Sequence, residues 1–542
     1  MSKTQRQPPK EAHDAPRQIS LSIEDAPVKM DPPFPGHHDC ESVGHPRSKA
    51  FSVQVFSPIA PSAICTFEFS VLYSLRSTQL PLNSLQHSVL PLVLARSELS
   101  TSHSPLLPCA PLTLALAHHG VLACENPPVP SSLDPLLTPE GSRLLADLEA
   151  EAFSPSDPLA AGEALRKRGI EKELANAVLT QLDLRRRART KFGEDAGSLF
   201  FTRDGLEQAT RQIVSERRAR RYRDAGATSI ADLGCGIGSD SLAFAKEDLA
   251  VLAVDLDEDA ASAARLNLAA HPTAQVRRAN VLDLDIPSLT HSGIDALFAD
   301  PARRTGAQGG SARIMDPESW SPPLSLVLSW REAIPRVGVK VAPGIAHEAL
   351  PADARVEWTS VDASLVEAAI WTGPLALEGA GRSAVVITGN DVFVLAEEGP
   401  ANAARGVGIH VDAHAPLGPL GAFIAEPDDA VIRSGLIHRL AEETSSTLVS
   451  ESIAYLSADT PLVSPFLTCF EVEDVVALKP KMISSALRSL GVGRVEVKKR
   501  GADIDPAALR KSLKLKGDGE AVVFATRVAG RHRAIIARRR RA

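Results

Sequence analysis

The string Ile230-Ala231-Asp232-Leu233-Gly234-Cys235-Gly236-Ile237-Gly238 runs an apolar strand straight into a Gly-x-Gly-x-Gly turn, with a helix opening near Ser239-Asp240. Such a turn asks for glycine because the chain visits positive φ and because a Cβ would keep the main chain away from a ligand lying on it. In open α/β sheets, ligands sit beyond the carboxyl ends of the strands, near the point where the strand order reverses, and the turn after the first strand lies there. The string therefore predicts a parallel, doubly wound sheet with a nucleotide-like molecule at one end.

The surrounding pattern agrees. From Ile230 to about Thr388, short apolar runs alternate with helical stretches, as an α/β architecture requires. Seven strands are expected, at TSIADLG, LAVLAVD, AQVRRAN, IDALFAD, VGVKVAP, VEAAIWTG and SAVVIT. The second ends at Asp255, about twenty residues beyond Gly234, where a carboxylate can accept hydrogen bonds from both hydroxyls of a ribose. The third ends at Asn280, placed to accept from an adenine amino group. A dinucleotide site is disfavoured by spacing. Its fingerprint is Gly-x-Gly-x-x-Gly, whereas Gly238 comes one residue early and the acid Asp232 precedes the turn. Negative charge there is awkward for a pyrophosphate but suits the amino group of a methionine moiety.

Residues 230 to 305 resemble class I S-adenosylmethionine-dependent methyltransferases. Asp232, Gly234, Gly236 and Gly238 are similar to that family's first motif, Asp255 to its ribose-binding acid, and Asn280 to the position that reads adenine, where Asp is more usual. Asp300-Pro301-Ala302-Arg303 occupies the fourth-motif position but departs from the amino-methylating pattern (Asp/Asn/Ser)-Pro-Pro-(aromatic) at its third and fourth residues. The string Phe200-Phe201-Thr202-Arg203-Asp204-Gly205-Leu206-Glu207-Gln208-Ala209-Thr210, the Asp300-Pro301-Ala302-Arg303-Arg304 string and a basic tail together resemble bacterial methyltransferases with a C-terminal THUMP-like domain, over about residues 133 to 542. The resemblance implies S-adenosyl-L-methionine as cofactor and, by analogy with true THUMP domains, an RNA substrate.

Methyl transfer is an in-line displacement for which an enzyme mainly supplies position and a dry pocket. Asp300 is expected to accept a hydrogen bond from an exocyclic amine or ring N–H, the Pro301 carbonyl to take a second, and Arg303 with Arg304 to grip phosphate or pair with acidic residues. Aromatic residues are 4% of the chain, so base stacking rests on few side chains, such as Trp320 and Trp358, which serve a core equally well. Methylation at pyrimidine C5 is set aside because no cysteine lies near Asp300. Cys40, Cys65, Cys109, Cys124, Cys235 and Cys469 form neither a Cys-x-x-Cys pair nor a metal-ligand cluster, which sets aside radical chemistry on an iron–sulfur centre and any zinc site.

The rest of the chain divides by composition. Residues 1–130 are rich in Pro, Ser and His without a sustained period, and read as disordered or as translated sequence upstream of the true start. Residues 131–226 read as a helical domain, with Thr138-Pro139-Glu140 as N-cap and first turn and with the Arg185–Arg187 and Arg217–Arg221 runs on a solvated face. The cofactor-binding α/β domain spans 227–395, a mixed connecting segment 396–470, and a small basic α+β domain 471–542. From Lys479 to Ala542 there are 18 Lys/Arg against 5 Asp/Glu, a charge of +13 on a chain whose total is −7. That excess marks a polyanion binder attached to an acidic body, without the interleaved aromatics of base readout.

No basic segment followed by an apolar one opens the chain, and the most apolar early stretch, Leu106 to Cys124, is broken by Pro108, Pro111, His118 and His119. A cytoplasmic protein without membrane or metal partners is expected. The readings open at this stage are a base-nitrogen methyltransferase of tRNA or rRNA, a methyltransferase of protein or small molecules, and an RNA-binding protein with a vestigial cofactor fold.

Overall fold

The computed structural model describes residues 131–540 apart from 152, 154–157, 304–315 and 403–414. The stretch 1–130 expected to be disordered or foreign lies outside the described residues. The helical segment forms α1 (Asp134–Leu137), α2 (Pro139–Ala150), α3 (Pro158–Lys167), α4 (Lys172–Phe192), α5 (Arg203–Gln208) and α6 (Gln212–Asp224). Thr138 caps α2 as its residues foretell, its Oγ1 accepting from the Gly141 N–H at 3.0 Å with Pro139 in the first turn. Leu136, Leu145, Leu148, Val178, Leu184 and Phe201 close one core, which also takes in Ile237 of the glycine turn.

The main sheet then begins. Its elements are β1 (Ser229–Leu233), α7 (Ser239–Lys246), β2 (Ala250–Asp255), α8 (Glu258–Asn267), β3 (Ala274–Arg278), α9 (Ile286–His291), β4 (Ala296–Ala299), α10 (Leu324–Ser329) and β5 (Arg336–Val341), followed by β6 (Arg355–Val361), β7 (Ser364–Trp371), β8 (Gly381–Thr388) and β9 (Asp391–Glu398). The strand order is β3-β2-β1-β4-β5-β7-β6-β8-β9. β1 to β5 run parallel, so the order reverses between β1 and β4, above which the glycine turn opens. This is the expected Rossmann-like α/β fold, but with nine strands rather than seven and not parallel throughout: β7 is antiparallel to both β5 and β6, and β9 to β8.

The unforeseen β6, RVEWTSV, is buried along its whole length although Glu357 and Thr359 interrupt its apolar run. Helix α6 supplies the reason. Arg217 pairs with Glu357 at 2.7 Å, Arg221 with Glu357 at 3.1 Å and Glu378 at 2.8 Å, and Arg218 with Asp240 and Glu367. Burial alone would raise the Glu357 carboxyl, but Arg217 and Arg221 outweigh it and hold the group at about 2. The expected solvated face at Arg217–Arg221 is therefore corrected: Arg218 and Arg221 are buried, because carboxylates carried into a sheet need charged partners. Arg185 is buried too, donating to the Leu199 carbonyl and pairing with Glu149.

A second sheet has the order β11-β12-β10-β13-β16-β15-β14. Residues expected only to connect supply β10 (Phe423–Pro427), α11 (Asp429–Ser434), α12 (Ile437–Glu443), β11 (Thr447–Leu448) and β12 (Leu456–Ala458). The basic end, expected to be a small α+β domain, forms β13 (Leu467–Ala477), α13 (Pro480–Ser489), β14 (Val492–Lys499), α14 (Pro506–Leu513), β15 (Gly519–Val528) and β16 (Arg531–Arg539). Helix α11 packs on β6 and β8 of the first sheet. Val431, Leu440 and Leu456 thus share one core with Leu297 and Val339.

Candidate cofactor and methyl-transfer site

The three glycines of the turn all have positive φ, at 86°, 55° and 77° for Gly234, Gly236 and Gly238, but the space around them differs. A Cβ on Gly234 would come within 3.0 Å of the Asp300 carbonyl oxygen, and one on Gly238 within 3.1 Å of the Ala264 Cβ. Those two let β4 and α8 approach. A Cβ on Gly236 would meet nothing within 4 Å among the described residues, so the middle of the turn faces space that none of them fills.

Asp255 stands at the rim of that space. Its Oδ2 accepts from the Gly236 N–H at 2.8 Å and its Oδ1 from the Asp257 N–H at 2.9 Å, which fixes the carboxylate while leaving each oxygen a further lone pair. Burial raises its carboxyl above the usual range, against the pull of these hydrogen bonds. Asn280 lies two residues past the end of β3, its Oδ1 accepting from the Leu282 N–H at 3.1 Å. Beside these two polar residues the chain exposes large apolar ones, Leu256 at 62% and Leu282 at 48%. Neither is marked by the sequence motifs; for Leu256 the available signal was an apolar residue directly after a strand-ending acid, and Leu282 carries none.

Asp232 lies elsewhere than in the open turn. It is fully buried between β1 and α7, its Oδ2 accepting from the Ser241 hydroxyl and its Oδ1 without a partner among the described residues. Burial, with neighbouring Asp240, pushes its carboxyl up to about 8.

Asp300 follows the last residue of β4 and is part-buried, and its Oδ2 accepts from the Lys340 ammonium at 2.8 Å. The Lys340 Nζ also donates to Thr210 Oγ1 at 3.2 Å, and Thr210 Oγ1 donates to Asp240 Oδ2 at 2.8 Å. Burial disfavours the Lys340 charge, but Asp300, Glu367 and Asp240 outweigh it and raise the ammonium's pKa. Pro301 is buried beside Asp300. Arg303 turns back, 4.0 Å from Asp300 Oδ1 and 5.9 Å over the Trp320 ring, while Arg304 lies outside the described residues. Trp320 and Trp358 are both buried in the core.

The string 200–210 is lashed to this site. Asn267 donates to the Phe200 and Ile237 carbonyls, Thr202 caps α5, and Lys191 donates to the carbonyls of Leu206, Glu207 and Ala209 at its far end. Lys340, Asp240 and Lys191 were not found from sequence, because a lone polar residue in a strand or helix carries no signal of what it faces.

Profiles of three families match the chain: a methyltransferase domain over residues 230–300, a THUMP domain-like region over 467–539, and a domain of unknown function over 130–188. Two curated relatives, from Mycobacterium tuberculosis strains CDC 1551 and H37Rv, are S-adenosylmethionine-dependent methyltransferases of uncharacterized role. Each is 32% identical over 356 residues, spanning 64% of this chain and 90% of the relative. The chain belongs to the S-adenosylmethionine-dependent methyltransferases. A crystal structure from Porphyromonas gingivalis W83, assigned to the methyltransferases, shares the fold at a TM-score of 0.59 and 18% identity, covering 76% of this chain and all of that one.

The methyltransferase carries its positive charge unevenly in the THUMP-like region. Lys498 pairs with Glu426 at 2.6 Å, Arg500 with Asp429 at 3.4 Å, Arg538 with Glu473 at 3.2 Å and Arg539 with Glu496 at 3.5 Å. These four cations therefore already have carboxylate partners. Lys511, Lys514, Lys516, Arg531 and Arg533 have no ion-pair partner among the described residues, and Arg541 lies outside them. Among the described residues no helix is long and apolar enough to cross a membrane, and no cluster of His, Cys, Asp and Glu could hold a metal.

Proposed function

We propose that this methyltransferase modifies a base nitrogen in structured RNA, such as tRNA or rRNA. The observation that carries the reading is Asp300 at the carboxyl end of β4, with Oδ2 held by Lys340 and Oδ1, among the described residues, no nearer to a cation than 4.0 Å. S-adenosylmethionine, when bound, supplies an electrophilic methyl group on a sulfonium. The open space over Gly236 and the paired apolar and acidic residues at its rim fit that molecule. Gly234, Gly236 and Gly238 let the main chain lie against it, Asp255 takes the ribose hydroxyls, Asn280 the adenine amino group, and Leu256 with Leu282 the faces of the adenine ring. Asp232, behind the turn, is assigned to anchoring α7 through Ser241 rather than to ligand contact.

On the acceptor side, Asp300 Oδ1 accepts a hydrogen bond from the N–H of the base and the Pro301 carbonyl takes a second, turning the nitrogen lone pair toward the methyl group. The proton that the nitrogen sheds on methylation would pass to Asp300 and then to water. Arg303 sits beside this carboxylate, where a phosphate of the substrate can draw it away from Trp320. Lys511, Lys514, Lys516, Arg531 and Arg533 supply charge for a polyanion, recognised by backbone and shape rather than by stacking.

Mass spectrometry of nucleosides from the RNA of a deletion strain, against its parent, tests the reading: one methylated base should disappear. Unchanged RNA, together with no salt-sensitive binding of tRNA or rRNA fragments, would instead favour a protein or small-molecule acceptor.

A further inference from the structure

Lys340 is neither a cofactor contact nor a surface charge, and its placement is costly. A buried ammonium is tolerated only when well paired, and replacing such pairs with apolar residues is often neutral or stabilising. Its partner is asymmetric: the Lys340 side chain is 8% exposed and that of Asp300 26%. β4 and β5 pair in register, Ala299 with Val339, so Asp300 and Lys340 are the next residues along two neighbouring strands. The ammonium would still be free to swing on its four-carbon stem. Thr210 stops it: its hydroxyl is buried, accepts from Lys340 and is itself oriented by Asp240, which Arg218 holds in turn. Thr210 closes the string 200–210, which the cofactor turn and Lys191 hold from the other side.

We propose that Lys340 is the positioning residue for Asp300, occupying Oδ2 so that Oδ1 alone faces the acceptor, and that Thr210 sets the position of Lys340. The inference rests on the reading of Asp300 as the group that meets the acceptor. With Thr210 in this role, the 200–210 string ties the helical segment to the acceptor side as well as to the cofactor turn.

The test uses the full chain, S-adenosylhomocysteine calorimetry, and methyl transfer to RNA from a deletion strain. In Lys340→Met, kcat should fall on the order of 100-fold and in Thr210→Val about tenfold, since a misplaced reacting group costs that much. The RNA KM and the S-adenosylhomocysteine Kd should stay within about twofold of the parent, and Lys340→Arg should recover most of the lost kcat, as restored positioning requires. A folded Lys340→Met enzyme with parental kcat overturns the proposal, as does one whose cofactor affinity falls in step with its turnover. If Lys340→Met does not fold, Thr210→Val decides, and parental kcat in that variant overturns it. A crystal structure of Thr210→Val with S-adenosylhomocysteine gives a readout free of substrate. Asp300 displaced from its Lys340-held orientation supports the proposal and an unmoved Asp300–Lys340 pair sinks it, whereas a parent enzyme that methylates no RNA sinks the substrate reading alone.

Discussion

Replacing Gly236 with alanine separates the ligand's need for space from the fold's. The residue sits at φ 55°, where an L side chain costs roughly 1–2 kcal/mol. A stiffer unfolded chain returns about 0.4–1 kcal/mol of that, and the new Cβ meets nothing within 4 Å among the described residues. Gly236→Ala should therefore fold with a loss of about 1 kcal/mol. Gly238→Ala differs: at φ 77° it suffers the same strain and brings its Cβ to 3.1 Å from Ala264 Cβ and 3.3 Å from Ala264 Cα. Overpacking adds about 1–3 kcal/mol, so that variant should lose roughly 2–4 kcal/mol. For the cofactor the order is reversed in kind. The methyl of Gly236→Ala points into the space beside Asp255, and S-adenosylhomocysteine should bind at least about tenfold more weakly, or 1.4 kcal/mol, in a protein that is nearly as stable as the parent. Urea unfolding and calorimetry measure the two quantities. Parental affinity in Gly236→Ala would refute the placement of the adenosyl group against this turn, and a stability loss equal to that of Gly238→Ala would refute the open space.

Asp300→Ala strips the buried Lys340 of its anion and should cost about 3 kcal/mol besides abolishing transfer, whereas Asp300→Asn keeps an oxygen for Lys340 and should abolish transfer with much less destabilisation; thermal unfolding of the two compared with their turnover checks this. Burial raises the Asp232 carboxyl from 3.8 to about 8, so between those values the folded chain holds a proton that the unfolded chain has lost. Its contribution to stability is thus present at acid pH and falls as pH rises through that window, by up to about 1.4 kcal/mol per unit, and Asp232→Asn should flatten this slope in urea titrations at pH 5, 6.5 and 8. Lys511→Gln with Lys514→Gln should lower the salt slope of RNA binding by about 2, roughly one for each phosphate contact, while Arg538→Gln, already paired with Glu473, should change it much less; filter binding at three salt concentrations distinguishes them.

What the sequence made legible was local. The glycine turn, Asp255 and Asp300 stand at strand ends, where an abrupt change from apolar to polar marks the carboxyl edge of a sheet. Thr138 and Pro139 announce a helix start because capping depends on neighbours only. β6 escaped because its Glu357 is satisfied by Arg217 and Arg221, more than a hundred residues earlier in the chain, and no period of apolar residues reports a distant partner. The same distance hid Lys340, whose meaning lies in Thr210 and Asp300 together. Arg217 and Arg218 read as solvated for the complementary reason: charge on a helix looks alike whether water or a carboxylate receives it.

The core that runs unbroken from Leu297 through Val431 to Leu456 has a mechanical consequence. With α11 wedged on β6 and β8, the cationic end is not a tethered hook but one end of a stiff gauge. On the proposed reading, a polyanion seated there would offer Asp300 only what lies at one set reach, so site choice would follow from distance and shape before any base is read.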